Sequence, residues 1–278
     1  MRGFLSLDVR IRLNSLTVIT IILLPAILIE ISNSQDHIES TANSSYLGII
    51  FSGNLTSCRE DLLVPLGFSG PGFTLGADYT RMGENNNFDI FMRFGLAFLK
   101  NRFSHKAYAA SIEIHPAWVK RLSDDVESGE FRVGFGLPMK MNNIFIESWD
   151  DSHLYWLTSY SIGPACKWQK KLSSKREFSV YLEIPVISLV SRPPAYRHNK
   201  QEALTHLTYH FTEPNKHLSL ELPDIYRAFF INLHLRRNMN HALLNVGLEF
   251  NYNYCSEPKD IYALNTSIIL SYQWRTGL

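Results

Sequence analysis

Tyr262-Ala-Leu-Asn-Thr-Ser-Ile-Ile-Leu-Ser-Tyr-Gln-Trp274 decides the fold of this chain. One face reads Tyr262, Leu264, Thr266, Ile268, Leu270, Tyr272 and Trp274, while the other reads Ala263, Asn265, Ser267, Ile269, Ser271 and Gln273. Alternation with period two is the mark of a β-strand, whose successive side chains point to opposite faces. The stretch before it repeats the pattern, with Ala242, Leu244, Val246, Leu248, Phe250, Tyr252 and Tyr254 against Leu243, Asn245, Gly247, Glu249, Asn251 and Asn253. Strands of soluble sheets run to roughly 5–6 residues, whereas a strand crossing a bilayer needs about 9–11. These segments are long enough to cross.

Working toward the N-terminus, the same reading predicts about ten strands, near 45–54, 72–82, 87–101, 105–121, 130–141, 153–171, 176–191, 224–237, 242–254 and 262–274. Twelve is the alternative, because Leu204 to Phe211 and His217 to Leu222 alternate weakly. Connections alternate in length. Gly83-Glu-Asn-Asn86, Leu172-Ser-Ser-Lys175 and Asn238-Met-Asn240 are short, while 55–71, 142–152 and 192–223 are expected as long loops. Short turns at one end and longer loops at the other are the pattern of a transmembrane barrel with both termini at the turn end.

The N-terminus carries Arg2, Arg10 and Arg12 before an apolar run from Leu16 to Ile31, then Ser32-Asn33-Ser34. This resembles a secretory signal peptide cleaved at Ser34–Gln35, leaving one barrel domain over 35–278. Loss of Arg2, Arg10 and Arg12 together with Asp8 and Glu30 brings the chain's 27 basic and 26 acidic residues to equality. A neutral mature chain gives nucleic acid no electrostatic footprint.

Within a bilayer every backbone N–H and C=O must be paired, so a strand-only chain must close on itself. The apolar faces then meet lipid. The other faces place Asp78, Asp89, Arg93, Glu113, His115, Arg132, Glu183, His234, Arg236 and Glu249 inside, and these are expected to form a structural charge network in the lumen. Aromatics near strand ends, among them Trp118, Trp156, Trp168, Tyr272 and Trp274, are expected as interfacial girdles.

At this point, and with the stretch Asp61-Leu-Leu-Val-Pro-Leu-Gly-Phe-Ser-Gly-Pro-Gly-Phe-Thr-Leu-Gly-Ala-Asp-Tyr79 read as the approach to a strand, the chain resembles the Gram-negative outer-membrane β-barrel proteins. The resemblance implies an all-β, closed, antiparallel, up-and-down transmembrane barrel in the outer membrane with periplasmic termini. It implies outer-membrane lipids, lipopolysaccharide and the barrel-insertion machinery as partners, and a monomer. The last strand departs from the usual terminal aromatic, since Arg275-Thr-Gly-Leu278 follows Trp274.

Candidate chemistry is sparse. Glu113 and His115 share one inward face, two residues apart, as a base and its orienting carboxylate would, but Glu and His neutralising facing Arg and Lys is the reading preferred here. Asp151-Ser152-His153 is similar to half of the omptin protease site, and its Asp-x-Asp counterpart is missing from the sequence. A barrel phospholipase or lipid A deacylase site, with its His-x-Ser pair beside an acidic or amide group at the lipid surface, is not expected. Neither is a cofactor or a metal. The expected role is structural or ligand-binding, with a narrow channel as the alternative and a lipid-modifying enzyme or protease as a weaker one. Cys58 and Cys255 are expected in the first and last outer loops, neighbours on closure that permit a disulfide, with Cys166 a thiol facing lipid.

Overall fold

The computed structural model describes residues 44–61, 66–125, 129–146, 153–192, 218–239, 241–257 and 259–276, and the expected signal peptide lies outside them. The described residues form thirteen strands: β1 (Ser44–Glu60), β2 (Leu66–Met82), β3 (Asn86–Lys100), β4 (Lys106–Asp125), β5 (Gly129–Gly136), β6 (Met139–Ile146), β7 (His153–Ser173), β8 (Arg176–Glu183), β9 (Ile187–Ser191), β10 (Ser219–Glu221), β11 (Tyr226–Met239), β12 (Ala242–Cys255) and β13 (Ile261–Thr276).

All pairings are antiparallel, and β1 pairs with β13 from Ser45 opposite Thr276 to Arg59 opposite Tyr262. The sheet therefore closes into a ring of ten. Thirteen strands make ten staves because three staves are interrupted. β5 and β6 both lie between β4 and β7, split at Leu137-Pro138, where the Pro138 carbonyl still accepts from Ser161 N–H at 2.9 Å. β8 and β9 are split at Pro185 in the same way, with Ile184 and Val186 continuing to donate to β7. Proline has no N–H to give a ladder, and both splits fall beside one, although Pro71, Pro116 and Pro164 are carried within unbroken strands. β10 pairs with β9 as β11 pairs with β8, so it extends an existing stave and adds no eleventh. The weak segment 204–211 lies outside the described residues.

Two expected loops are corrected. β1 runs on to Glu60 and β2 begins at Leu66, so most of 55–71 is paired sheet, and β6 carries the sheet to Ile146. The Gly- and Pro-rich stretch that reads as a loop is held in register by β1, with Leu55 opposite Pro71 and Thr56 opposite Gly70. A Cβ on Gly70 would lie 1.9 Å from the Phe98 carbonyl oxygen, so the close backbone approach there requires glycine. The long segment between β9 and β10 lies, from 193 to 217, outside the described residues.

The outward face is apolar. Ile49, Phe51, Leu75, Met92, Phe94, Phe98, Trp118 and Leu270 are each between 47% and 59% exposed. The buried interior is mostly polar, with Arg93, Glu113, His115, Arg132, Lys140, Lys167, Glu183, Arg236 and Glu249 all buried. This inverts a soluble barrel, whose core is apolar and whose charges face water. Trp156 is the exception among the expected girdle residues, being 6% exposed with its indole N–H donating to Ser191 Oγ at 3.3 Å.

Candidate functional site in the barrel interior

Inward positions on six staves meet in a central layer. Arg93 on β3 reaches across to Glu249 on β12, donating a hydrogen bond to Oε1 at 2.9 Å with a second ion-pair contact to Oε2 at 2.7 Å. Beside it, Lys140 donates to Asn251 Oδ1 at 2.7 Å and Asn251 Nδ2 donates to Glu113 at 3.0 Å, so one asparagine links a cation and a carboxylate from different strands. Glu113 stands directly opposite Arg93 in the β3–β4 register and opposite Lys140 in the β4–β6 register. The sequence places these charges on one face by parity alone. Closure then brings β12 across from β3 and β4.

His115 lies next to this network, stacked on Phe91 at 4.4 Å between centroids and 4.8 Å from Phe230. Its ring nitrogens are 4.0 Å from Glu113 and 3.8 Å from Glu183, too long for hydrogen bonds, and neither nitrogen has a hydrogen-bond partner. Glu183 is instead held by Tyr181, which donates at 2.7 Å. Gly136 makes room for that carboxylate, since a Cβ there would come within 2.6 Å of it. A base and its orienting acid should be in bonding contact, as should a nucleophile and its base. The Glu113–His115 pair has neither contact.

A second polar layer lies toward the turn end. Lys167 donates to Asp89 at 2.8 Å; Arg236 donates to Asn245 at 3.0 Å and to Glu177 at 3.4 Å; and Ser271 and Gln273 both donate to Asp78 Oδ2, at 2.7 and 2.8 Å. Arg132 pairs with Glu130 and reaches the Gly83 and Glu84 carbonyls of the first turn. His234 lines this region with its Nε2 unbonded. Lys167 and Glu177 were not singled out from sequence, although the outward parity of Trp168 and Phe178 marks both as inward.

Toward the loop end the interior turns apolar. Cys58, Phe68, Leu99, Ala107, Ile144 and Ile146 form one cluster, and Leu157, Val190, Tyr226, Ala228, Cys255 and Ile261 another. A cavity of about 90 Å³, lined by Asp78, Phe91, Arg93, His234 and Gln273, lies on the turn side of the central layer. One of about 40 Å³, lined by Asn54, Cys58, Glu113, Asn251 and Asn265, lies on its loop side.

The cysteine expectation is corrected by this geometry. Cys58 and Cys255 lie within β1 and at the end of β12, not in loops, each in its own cluster, and both are free thiols, as is Cys166. A His-x-Ser triplet does occur in the chain, contrary to expectation, at His217-Leu218-Ser219. Ser219 opens β10 and its hydroxyl donates to the Val190 carbonyl at 3.2 Å, while His217 lies outside the described residues. Asp151 and the His153 side chain lie outside them also. Among the described residues no three His, Cys, Asp or Glu side chains converge as a metal site.

Ten closed antiparallel staves, apolar outside and charged within, define a protein of the outer-membrane β-barrel class. No known family matches the sequence, and no curated protein does. Solved structures similar in outline include the translocator domain of the autotransporter NalP from Neisseria meningitidis, at 12% identity and a TM-score of 0.44 over 94% of this chain and 97% of that one. The outer membrane protease OmpT from Escherichia coli aligns at 7% identity and a TM-score of 0.48, over 87% and 100% of the two chains. The outer membrane protein OprG from Pseudomonas aeruginosa aligns at 10% and 0.31, over 86% and 99%. No side-chain role is carried over from any of them.

Proposed function

We propose that this chain is an integral outer-membrane barrel with a structural or ligand-binding role and a lumen closed by its own side chains. The observation that carries this reading is the central layer, in which Arg93 and Glu249 clasp across the interior beside the Lys140–Asn251–Glu113 link. Aromatic rings of Phe91, His115 and Phe230 fill the space between them. About eight strands already enclose little more than side chains, and water-filled porins use 16–18, so ten leave little for a pore. Planar-bilayer recording on the full-length protein tests it. The expected result is no steady conductance, and a stable ohmic pore would establish the narrow channel instead.

The turn end, with both described ends of the chain at Ser44 and Thr276, is assigned to the periplasm, and the 192–218 connection to the cell exterior. An epitope inserted in that connection should be reached by antibody on intact cells, and one at 240 should not. The opposite labelling reverses the orientation. Outer-membrane lipid and lipopolysaccharide are the surroundings this reading supplies, and the insertion machinery its route there.

A further inference from the structure

Near the turn end, the outward face carries a row of aromatic residues: Tyr79 on β2, Trp118 on β4, Trp168 on β7 and Phe178 on β8. The next outward position toward the turns is basic on each of these strands: Arg81, Lys120, Lys170 and Arg176. Arg237 on β11 completes the row, directly opposite Arg176 in register. Two residues of strand are about 7 Å, which sets the cations just beyond an aromatic interfacial row. The cross-strand register partners of Arg81, Lys120, Lys170, Arg176 and Arg237 include no carboxylate.

The Arg176–Arg237 pair is the informative one. Directly opposed side chains have Cβ atoms about 4.5–5.5 Å apart, and like charges so placed are destabilising unless an anion lies between them. Neither guanidinium has an ion pair or hydrogen bond among the described residues. Lys170 stands on the adjoining stave, paired with Phe178, two residues from Arg176. At the other rim Arg59 bonds Asp61 at 2.6 Å and Asp260 accepts from Tyr254 beside Arg227, while Lys100 and Lys106 stand directly opposed there with no guanidinium between them to take an anion in bidentate fashion.

We propose that Arg176, Arg237 and Lys170 bind the phosphate of an anionic phospholipid in the leaflet at the turn end. Guanidinia take phosphate oxygens in bidentate fashion, and the single negative charge of a phosphodiester lying between two guanidinia offsets their mutual repulsion. The occupant is a lipid and not free phosphate because the outward residues adjoining the cations are Phe178, Val180, Leu235 and Leu244, a surface for acyl chains. The site rests on the reading that the strands span a bilayer.

The test uses the full-length protein in phosphatidylcholine vesicles with and without phosphatidylglycerol, followed by carbonate extraction and by native mass spectrometry of retained lipid. Wild type is expected to retain phosphatidylglycerol over phosphatidylcholine by about thirtyfold, the equivalent of two cations at roughly 1 kcal/mol each. Arg176→Gln with Arg237→Gln should abolish the preference, and Arg227→Gln at the other rim should keep it. The double variant relieves a repulsion, so its thermal unfolding midpoint should rise in phosphatidylcholine and lose the gain that phosphatidylglycerol gives wild type. Absence of a preference in wild type, its survival in the double variant, or displacement of the lipid by millimolar inorganic phosphate each overturns the lipid site. Release of the protein by carbonate overturns the membrane reading itself, and the site with it.

Discussion

On β12, Leu244, Val246, Leu248 and Phe250 stand partly exposed, while Asn245, Glu249, Asn251 and Asn253, their immediate neighbours in sequence, are buried. Adjacent residues on one strand therefore answer to opposite solvents. Outside, an apolar side chain is in place and a charge is costly. Inside, a charge is in place as long as its partner is. The outward face tolerates any apolar residue of suitable size, because lipid conforms to it, whereas the inward face depends on specific pairs drawn from distant strands.

The sharpest way to break that comparison is to remove one member of an interior pair. Glu249→Leu leaves Arg93, 4% exposed, without its carboxylate, and loss of one partner of a buried ion pair costs about 3–5 kcal/mol. Arg93→Leu combined with Glu249→Leu should recover most of that loss, since a buried pair replaced by apolar groups of similar size is often neutral. Urea unfolding of the reconstituted protein reads both. If the single and double variants lose equal stability, the pair is not what holds the layer.

An effect of about 2–4 kcal/mol is expected from Leu248→Arg, which puts a charge on the outward face near mid-strand, opposite Leu233 and Ile268. The inward control should be Asn265→Arg, not a change at Asn251, because Asn251 already bridges Lys140 and Glu113 and a second cation there would face Lys140. Asn265 is partly exposed and borders the smaller cavity near Glu113, so the added cation stays in a polar interior and the change should cost less than Leu248→Arg. Equal losses at the two positions would mean that the register is displaced by one residue, which exchanges the faces of the whole strand.

Much of this was legible in the sequence because period two is a local property. Each of the ten staves contains the segment expected of it, and Arg93, Glu113, Glu249 and their companions are placed inside by the parity of neighbours such as Phe94, Ile114 and Leu248. What parity does not carry is the partner. Arg93 meets Glu249 only because closure brings β3 and β12 to face one another across the interior, and no spacing along the chain records that distance. The paired course of 55–71 was hidden for another reason: its glycines and Pro71 read as turn chemistry, yet they serve close backbone approach within the sheet. The apolar loop-end interior was hidden too, since Ile144 and Ile146 fall in 142–152, expected as a loop, and parity places Leu99 inward without saying that it meets other apolar groups there.

The smallest expected effect concerns the thiols, and it separates the two faces without perturbing either. Cys166 pairs in register with Val133 and Leu182 on the outward side and is partly exposed, whereas Cys58 and Cys255 are 3% and 2% exposed within the loop-end clusters. The register also keeps them on separate strands with different partners, Cys58 opposite Phe68 and Ala263, Cys255 opposite Tyr226 and Ile261. A membrane-permeant maleimide added to folded, reconstituted protein should therefore modify Cys166 first, because a buried thiol in apolar surroundings is shielded from both reagent and solvent. Cys166→Ser should remove that modification and change stability by less than about 1 kcal/mol, a substitution at a partly exposed site with no ion pair to lose. Thiol counting on denatured, unreduced protein should find all three groups. A count of one would restore the Cys58–Cys255 bridge and require the first and last loop-side strands to depart from the register described.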